Sequence, residues 1–368
     1  MPPIPRPEVL SLPPAYHGAA RVDELRAYGL QPANIVDFSV NINPFGPSPQ
    51  VRQAIANAPL AAYPDRDALP LREALAAHHA LSPSQVLPAH GTAELITLVG
   101  MAFIRPGDRA LVVSPTFGEY ARVTALFGGH VTTIHARAAQ HFAFPTEAIT
   151  QALHDACPRL VWLCNPNNPT GQTLTRANLA AWAEQCPESL FVIDEAYINF
   201  APQTASAIGL APNVLVLRSM TKDYALAGLR LGYAVGEEAL ITALQRVQPP
   251  WSVSAPAQQA GLAALADQAH LARTLAATRA AQQAFTTALK QKGWQVMPSA
   301  THFFLLFVGQ ATTFREQLLQ AGIMVRDGTS FGLPEYVRLG TRRPTENAQL
   351  LEALSAQGLT PPQFRPET

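Results

Sequence analysis

Charge, cysteine and long apolar runs are all scarce in this chain of 368 residues. Only 14% of residues are charged, and 26 Lys+Arg balance 26 Asp+Glu to a net charge of zero. With no positive excess there is no electrostatic footprint for nucleic acid or an anionic membrane surface. No apolar run approaches the ~20 residues that a membrane-spanning helix needs. Met1 to Pro14 is proline-rich and lacks the basic-then-apolar layout of a signal peptide, so a cytoplasmic protein is expected. The three cysteines, Cys157, Cys164 and Cys186, are odd in number and widely spaced. They suggest neither a disulfide framework nor a zinc site, and reduced thiols are expected.

What is present is an ordinary globular composition, 48% apolar, with 33 prolines placed mostly at turns. Short β-branched runs (Ala110–Ser114, Leu160–Cys164, Phe191–Asp194, Val214–Arg218, Leu231–Val235) alternate with helix-like stretches at Ala93–Phe103, Glu119–Phe127 and Leu174–Gln185. Strands apolar on both faces, separated by helices, predict an α/β fold with a mostly parallel sheet. After residue 245 the texture changes to an alanine-rich, helical stretch, Ala255–Lys292, then Phe303–Val308, Phe314–Gln320, Ile323–Val325, Tyr336–Gly340 and a last helix near Thr345–Gln357. The expected organisation is a large domain over 41–245 and a smaller α+β domain from 1–40 and 246–368.

Four segments carry candidate chemistry. Arg218-Ser219-Met220-Thr221-Lys222 closes an apolar run. A lysine there is either a solvent-facing turn residue or a buried amine whose pKa is lowered by desolvation, a Schiff-base nucleophile. Arg230, eight residues on, and the hydroxyls of Ser219 and Thr221 supply a cation and donors for a phosphate. Phe191-Val192-Ile193-Asp194-Glu195-Ala196-Tyr197 ends an apolar strand in carboxylates. A buried Asp194 can keep a pyridine nitrogen protonated, and Tyr197 can donate to a ring oxygen; no histidine lies nearby in sequence to favour a metal. Asn165-Pro166-Asn167-Asn168-Pro169-Thr170-Gly171 is a turn cluster directly after a strand, where open α/β sheets bind ligands. His90-Gly91-Thr92-Ala93-Glu94 opens a helix whose first amides suit a phosphate.

Gly91-Thr92-Ala93, NPNNPTG from 165, DEAY from 194, SMTK from 219 and AGLRLGY from 227, in that order, resemble the fold-type-I pyridoxal 5′-phosphate enzymes. The likeness runs from about His17 to Asn347. It implies an aspartate-aminotransferase-like fold, a homodimer, and pyridoxal 5′-phosphate held as a Schiff base on Lys222. It implies Asp194 at the pyridine nitrogen, Asn168 and Tyr197 at the 3′-oxygen, and Phe117 against the ring. Ser219, Arg230 and the amides of Thr92 and Ala93 would hold the phosphate, with Tyr63 reaching it from a second subunit. His17, Asn43, Arg326, Arg338 and Arg342 would bind a small phosphorylated substrate.

Two branches of that family fit. His17-Gly18 with the segment VDFSVNINP from 36, Pro250-Trp251-Ser252-Val253, Arg342 four residues after Arg338, and Leu217-Arg218-Ser219 resemble L-threonine-O-3-phosphate decarboxylase. Tyr197 and the segment IMVRD from 323 resemble histidinol-phosphate aminotransferase, as do Ala19 and Ser254 by their departure from the decarboxylase pattern. The resemblance therefore leads to an expected decarboxylase of the cobalamin pathway, with the aminotransferase as the alternative. No G-x-G-x-x-G follows the first strands, which leaves a dinucleotide enzyme little support.

Overall fold

The computed structural model describes residues 3–12, 18–19 and 21–364. A short strand β1 (Val36–Asp37) precedes those of the main sheet: β2 (Val86–Ala89), β3 (Arg109–Ser114), β4 (His130–His135), β5 (Leu160–Cys164), β6 (Leu190–Asp194), β7 (Val214–Ser219) and β8 (Gly232–Val235). They lie in the order β2-β8-β7-β6-β5-β3-β4, all parallel except β8, which is antiparallel to both its neighbours. All five expected runs are strands. β4, with the sequence HVTTIH, was not among them; it is the exposed edge, so its residues lack an apolar signature.

The sheet is buried on both faces because its side chains alternate between two cores. Leu111, Val113, Val161, Leu163, Phe191 and Ile193 face one core. Ala110, Val112, Leu160, Trp162, Leu190 and Val192 face the other. This period of two, apolar in both phases, is what continuous apolar runs mean in a parallel sheet. Helices Thr146–Asp155, Arg176–Gln185 and Ala255–Ala266 cover the first face; Gly91–Phe103, Glu119–Leu126 and Glu238–Val247 cover the second.

The helical stretch after residue 245 is borne out and divides in two. The alanine-rich stretch is two helices, Ala255–Ala266 and Gln268–Gln291, because Asp267 Oδ1 accepts from the His270 amide and caps the second. The first of these buries Ala257, Ala260 and Ala264 in the large-sheet core, so the boundary at 246 falls too early. A second sheet follows, of β9 (Phe303–Phe307), β11 (Arg326–Asp327) and β12 (Tyr336–Gly340) in the order β11-β12-β9, antiparallel; β10 (Ile323–Met324) pairs in parallel with β1. Its core joins Phe38 to Phe285, Trp294, Phe304, Phe314 and Leu339, which ties the residues before 41 to this part of the chain.

The cysteine expectation is also corrected. Cys157 and Cys186 form a disulfide, and Cys164 is free and buried. Their 29-residue separation concealed the pairing. β5 and β6 are neighbours, with Leu160 opposite Leu190, so the segments entering them at the sheet's amino edge lie side by side.

Candidate active site

The carboxyl ends of β3, β5, β6 and β7 face one cavity of about 650 Å³. The chain runs from β3 out to the edge strand β4 and returns on the other side of β3 to β5. That reversal opens the crevice in which α/β sheets bind ligands. Lys222, Asn168, Tyr197, Phe117, Ala93 and Arg230 line it from the large sheet, and Arg326 and Arg338 from the three-stranded one.

Lys222 lies just beyond β7, its ammonium 5.9 Å from the Tyr197 ring centre. Burial, then the charges of Arg338 and Arg230, pull its pKa from 10.5 down to about 8, while Asp194 opposes the fall. Asp194 ends β6 and is almost completely enclosed. Burial raises its pKa; the Tyr120 hydroxyl, donating to Oδ2 at 2.8 Å, the Ala196 amide at 3.0 Å and the Lys222 charge resist that rise. Tyr120 is itself fixed by stacking on Trp162 at 5.2 Å between ring centres. Sequence reasoning passed over Tyr120; the one signal was its place three residues after Phe117, on the next helix.

Tyr197 is buried and its pKa is pushed up to about 12, first by burial, with Arg338 opposing, so it stays a neutral hydroxyl donor at neutral pH. Asn168 accepts from Arg338 Nη1 at 2.6 Å, which commits Oδ1 and leaves its amide Nδ2 as the group it can offer. Arg338 also donates to the Ser39 carbonyl, and its Nε has no hydrogen-bond partner among the described residues. Arg326 stands opposite Arg338 in the β11–β12 ladder and donates to Ser330 Oγ at 2.7 Å. Burial, with Arg326 adding to it, lowers the Arg338 pKa to about 10, so it remains cationic at neutral pH.

A second group of donors sits at the start of helix Gly91–Phe103. A Cβ on Gly91 would stand 3.0 Å from Arg230 Nη2, and Gly91 has φ +79°. A Cβ on Gly232 would stand 3.0 Å from the Thr92 amide. The two glycines let the arginine, the helix amides and β8 approach within van der Waals contact, an anion cradle of fixed donors. Arg230 holds a left-handed φ of +57° and donates to the Ala227 carbonyl. The Ser219 hydroxyl, one strand away, pairs with Thr221 Oγ1 at 2.7 Å. Ala93 is part of the cavity wall and Thr92 is not.

Two expected substrate residues are elsewhere. Asn43 is buried, but its amide donates to the Asp223 carbonyl and to Thr274 Oγ1, both at 2.9 Å, and its Oδ1 accepts from the Phe45 amide; it ties the chain to helix Gln268–Gln291. Asn41, two residues earlier, is the cavity residue, and its Nδ2 lies 3.5 Å from the Tyr197 hydroxyl. Arg342 pairs with Glu346 at 3.0 Å and is not part of the cavity wall. Tyr63 is 80% exposed and stacks on Trp251, outside the cavity of this chain. His17 lies outside the described residues, although Gly18 and Ala19 reach the cavity. Glu119 and Arg122, on the helix after Phe117, also line it and were not anticipated.

The sequence matches the family Aminotransferase class I and II over residues 33–354. A histidinol-phosphate aminotransferase of Thiobacillus denitrificans is 35% identical over 356 residues, 95% of this chain and 92% of that protein. Other curated relatives at 32–35% identity bear the same name. The solved histidinol-phosphate aminotransferase of Sinorhizobium meliloti, in complex with pyridoxal 5′-phosphate, superposes with a TM-score of 0.84 at 26% identity, covering 95% of this chain and 96% of that one. The L-threonine-O-3-phosphate decarboxylase of Porphyromonas gingivalis gives 0.78 at 27%, covering 88% and 98%. These relatives overturn the expected decarboxylase: the full-length sequence similarity lies with histidinol-phosphate aminotransferases. An amine of low pKa, a buried carboxylate and an anion cradle around one cavity fit pyridoxal 5′-phosphate, the cofactor. The chain has the aspartate-aminotransferase-like fold and belongs to the class I and II aminotransferases, enzymes that work with pyridoxal 5′-phosphate.

Proposed function

We propose that this chain exchanges an amino group between histidinol phosphate and 2-oxoglutarate, as a cytoplasmic histidinol-phosphate aminotransferase. The observation that carries the reading is the convergence of Lys222 and the Arg326–Arg338 pair on one cavity, with Asp194 buried within reach of the Lys222 charge, in a chain whose full-length relatives carry that name.

Pyridoxal 5′-phosphate, when bound, supplies an aldehyde for covalent attachment and a protonated ring that takes up an electron pair from the substrate. Asp194 would hold the proton on the ring nitrogen, itself positioned by the Tyr120 hydroxyl. Tyr197 and the Asn168 amide would donate to the 3′-oxygen, and Phe117 would lie against the ring. Arg230, the amides of Thr92 and Ala93, and Ser219 would hold the phosphate, the serine by turning its hydroxyl from Thr221. Lys222 Nζ, with a pKa near 8, is the base that takes the proton from the substrate Cα and returns it. Arg326 and Arg338 would grip an anionic end of the substrate and so set which Cα bond stands perpendicular to the ring. Tyr63, with its exposed ring, would complete the phosphate cradle of a second copy in a homodimer.

Purified protein given histidinol phosphate and 2-oxoglutarate is expected to form glutamate, measured with glutamate dehydrogenase, and Lys222→Ala to form none. No glutamate from the native protein, or carbon dioxide from threonine phosphate in its place, would refute the proposal.

A further inference from the structure

We infer that Arg122 is a specificity-determining residue, the site for the distal carboxylate of a dicarboxylate amino acceptor, and that Glu119 is its built-in counter-ion. The inference rests on the aminotransferase reading above and extends it to the second substrate. Both residues stand on helix Glu119–Leu126 and line the cavity beside Phe117. Arg122 Nη1 donates to Glu119 Oε2 at 3.3 Å, which holds the guanidinium beside the carboxylate. Arg326 and Arg338 enter instead from the three-stranded sheet, so the cavity offers arginines from two separate walls.

The two proposed substrates differ in what they carry away from the reacting carbon. One has a single anionic group and an imidazole; the other has a carboxylate at each end. The Arg326–Arg338 pair can satisfy one anionic end of either. A second carboxylate then requires a cation on another wall, and Arg122 supplies it. An imidazole in the same place would instead face a cation and find no acceptor on it. Glu119 answers that case: its carboxylate keeps Arg122 neutralised and can accept a ring N–H. One ion pair thus meets two chemically opposite groups, and neither substrate leaves a charge desolvated and unpaired.

The test uses the holoenzyme and two non-reacting probes, glutarate and inorganic phosphate, titrated by calorimetry. Arg122→Gln is expected to weaken glutarate about 10–100-fold, the loss of one charge-assisted contact, and phosphate less than about threefold. The half-saturating concentration of 2-oxoglutarate should rise in step with that of glutarate. Glu119→Gln, which leaves the arginine in place, should bind glutarate as well as or better than the native enzyme, while half-saturation for histidinol phosphate rises about tenfold. Unchanged glutarate binding in Arg122→Gln, a parallel loss of glutarate and phosphate, or no glutarate binding by the native enzyme would each overturn the inference. Should Arg122→Gln fail to fold, the opposite movements required of Glu119→Gln decide the matter. An enzyme that transfers no amino group between the named substrates refutes the functional reading alone, because the glutarate titration still reports on Arg122.

Discussion

The Lys222 amine makes a quantitative claim about pH. With a pKa of about 8 in place of 10.5, close to one amine in ten is neutral at pH 7, against about one in three thousand for an ordinary lysine, a roughly 300-fold gain in reactive form. Apoprotein mixed with pyridoxal 5′-phosphate should therefore attach it covalently at a rate that climbs with pH to about 8 and then levels. Borohydride trapping at a series of pH values measures this. Arg338→Met removes a cation that depresses the pKa and should move the midpoint up; Asp194→Asn removes the opposing carboxylate and should move it down. The same shift has a stability consequence. The folded pKa lies below the unfolded one, so the unfolded chain binds more protons between pH 8 and 10.5, and stability rises across that window. Below pH 8 the penalty is fully present, about 3 kcal/mol. Lys222→Met should then stabilise the apoprotein at pH 7 by up to that amount in a denaturant titration, with the gain fading between pH 8 and 10.5 and absent above. An attachment rate still climbing tenfold per pH unit beyond pH 9.5, or a destabilised Lys222→Met, would refute the reasoning.

Reduction of the Cys157–Cys186 bond, or Cys157→Ser, should lower the free energy of unfolding by about 3.5 kcal/mol, the loop-closure value for its 29-residue separation. Denaturant curves with and without reductant read this, and coincident curves would show that the bond constrains nothing. Gly91→Ala places a methyl 3.0 Å from Arg230 Nη2 at a φ of +79°. It should cost about 1–2 kcal/mol of stability from backbone strain and weaken pyridoxal 5′-phosphate binding by about tenfold or more, measured by equilibrium dialysis. Native cofactor affinity in that variant would remove Gly91 from the cradle.

Legibility in the sequence followed range. Lys222, Asp194, Asn168, Tyr197 and Arg230 each sit in a compact motif at a strand end or the turn after it, where the alternation of apolar runs already says which end faces a ligand. Tyr120, Asn41, Arg122 and the true place of Asn43 left no such mark. Asn41 and Asn43 belong to one short segment, and only the partners across space, Tyr197 for one and Thr274 for the other, separate a cavity residue from a structural one. Tyr120 reads as an apolar helix residue until Asp194 is found 2.8 Å from its hydroxyl.

By itself the sequence determined the α/β class, the five motif-bearing strands of the sheet and the chemistry of its carboxyl ends, because backbone periodicity and local turn chemistry are short-range properties. Tertiary structure alone decided which cysteines pair, where helix Ala255–Ala266 packs and which arginines reach the cavity. Each of those depends on two segments far apart in the chain meeting at contact distance, and the strand order that brings them together is not written in either one.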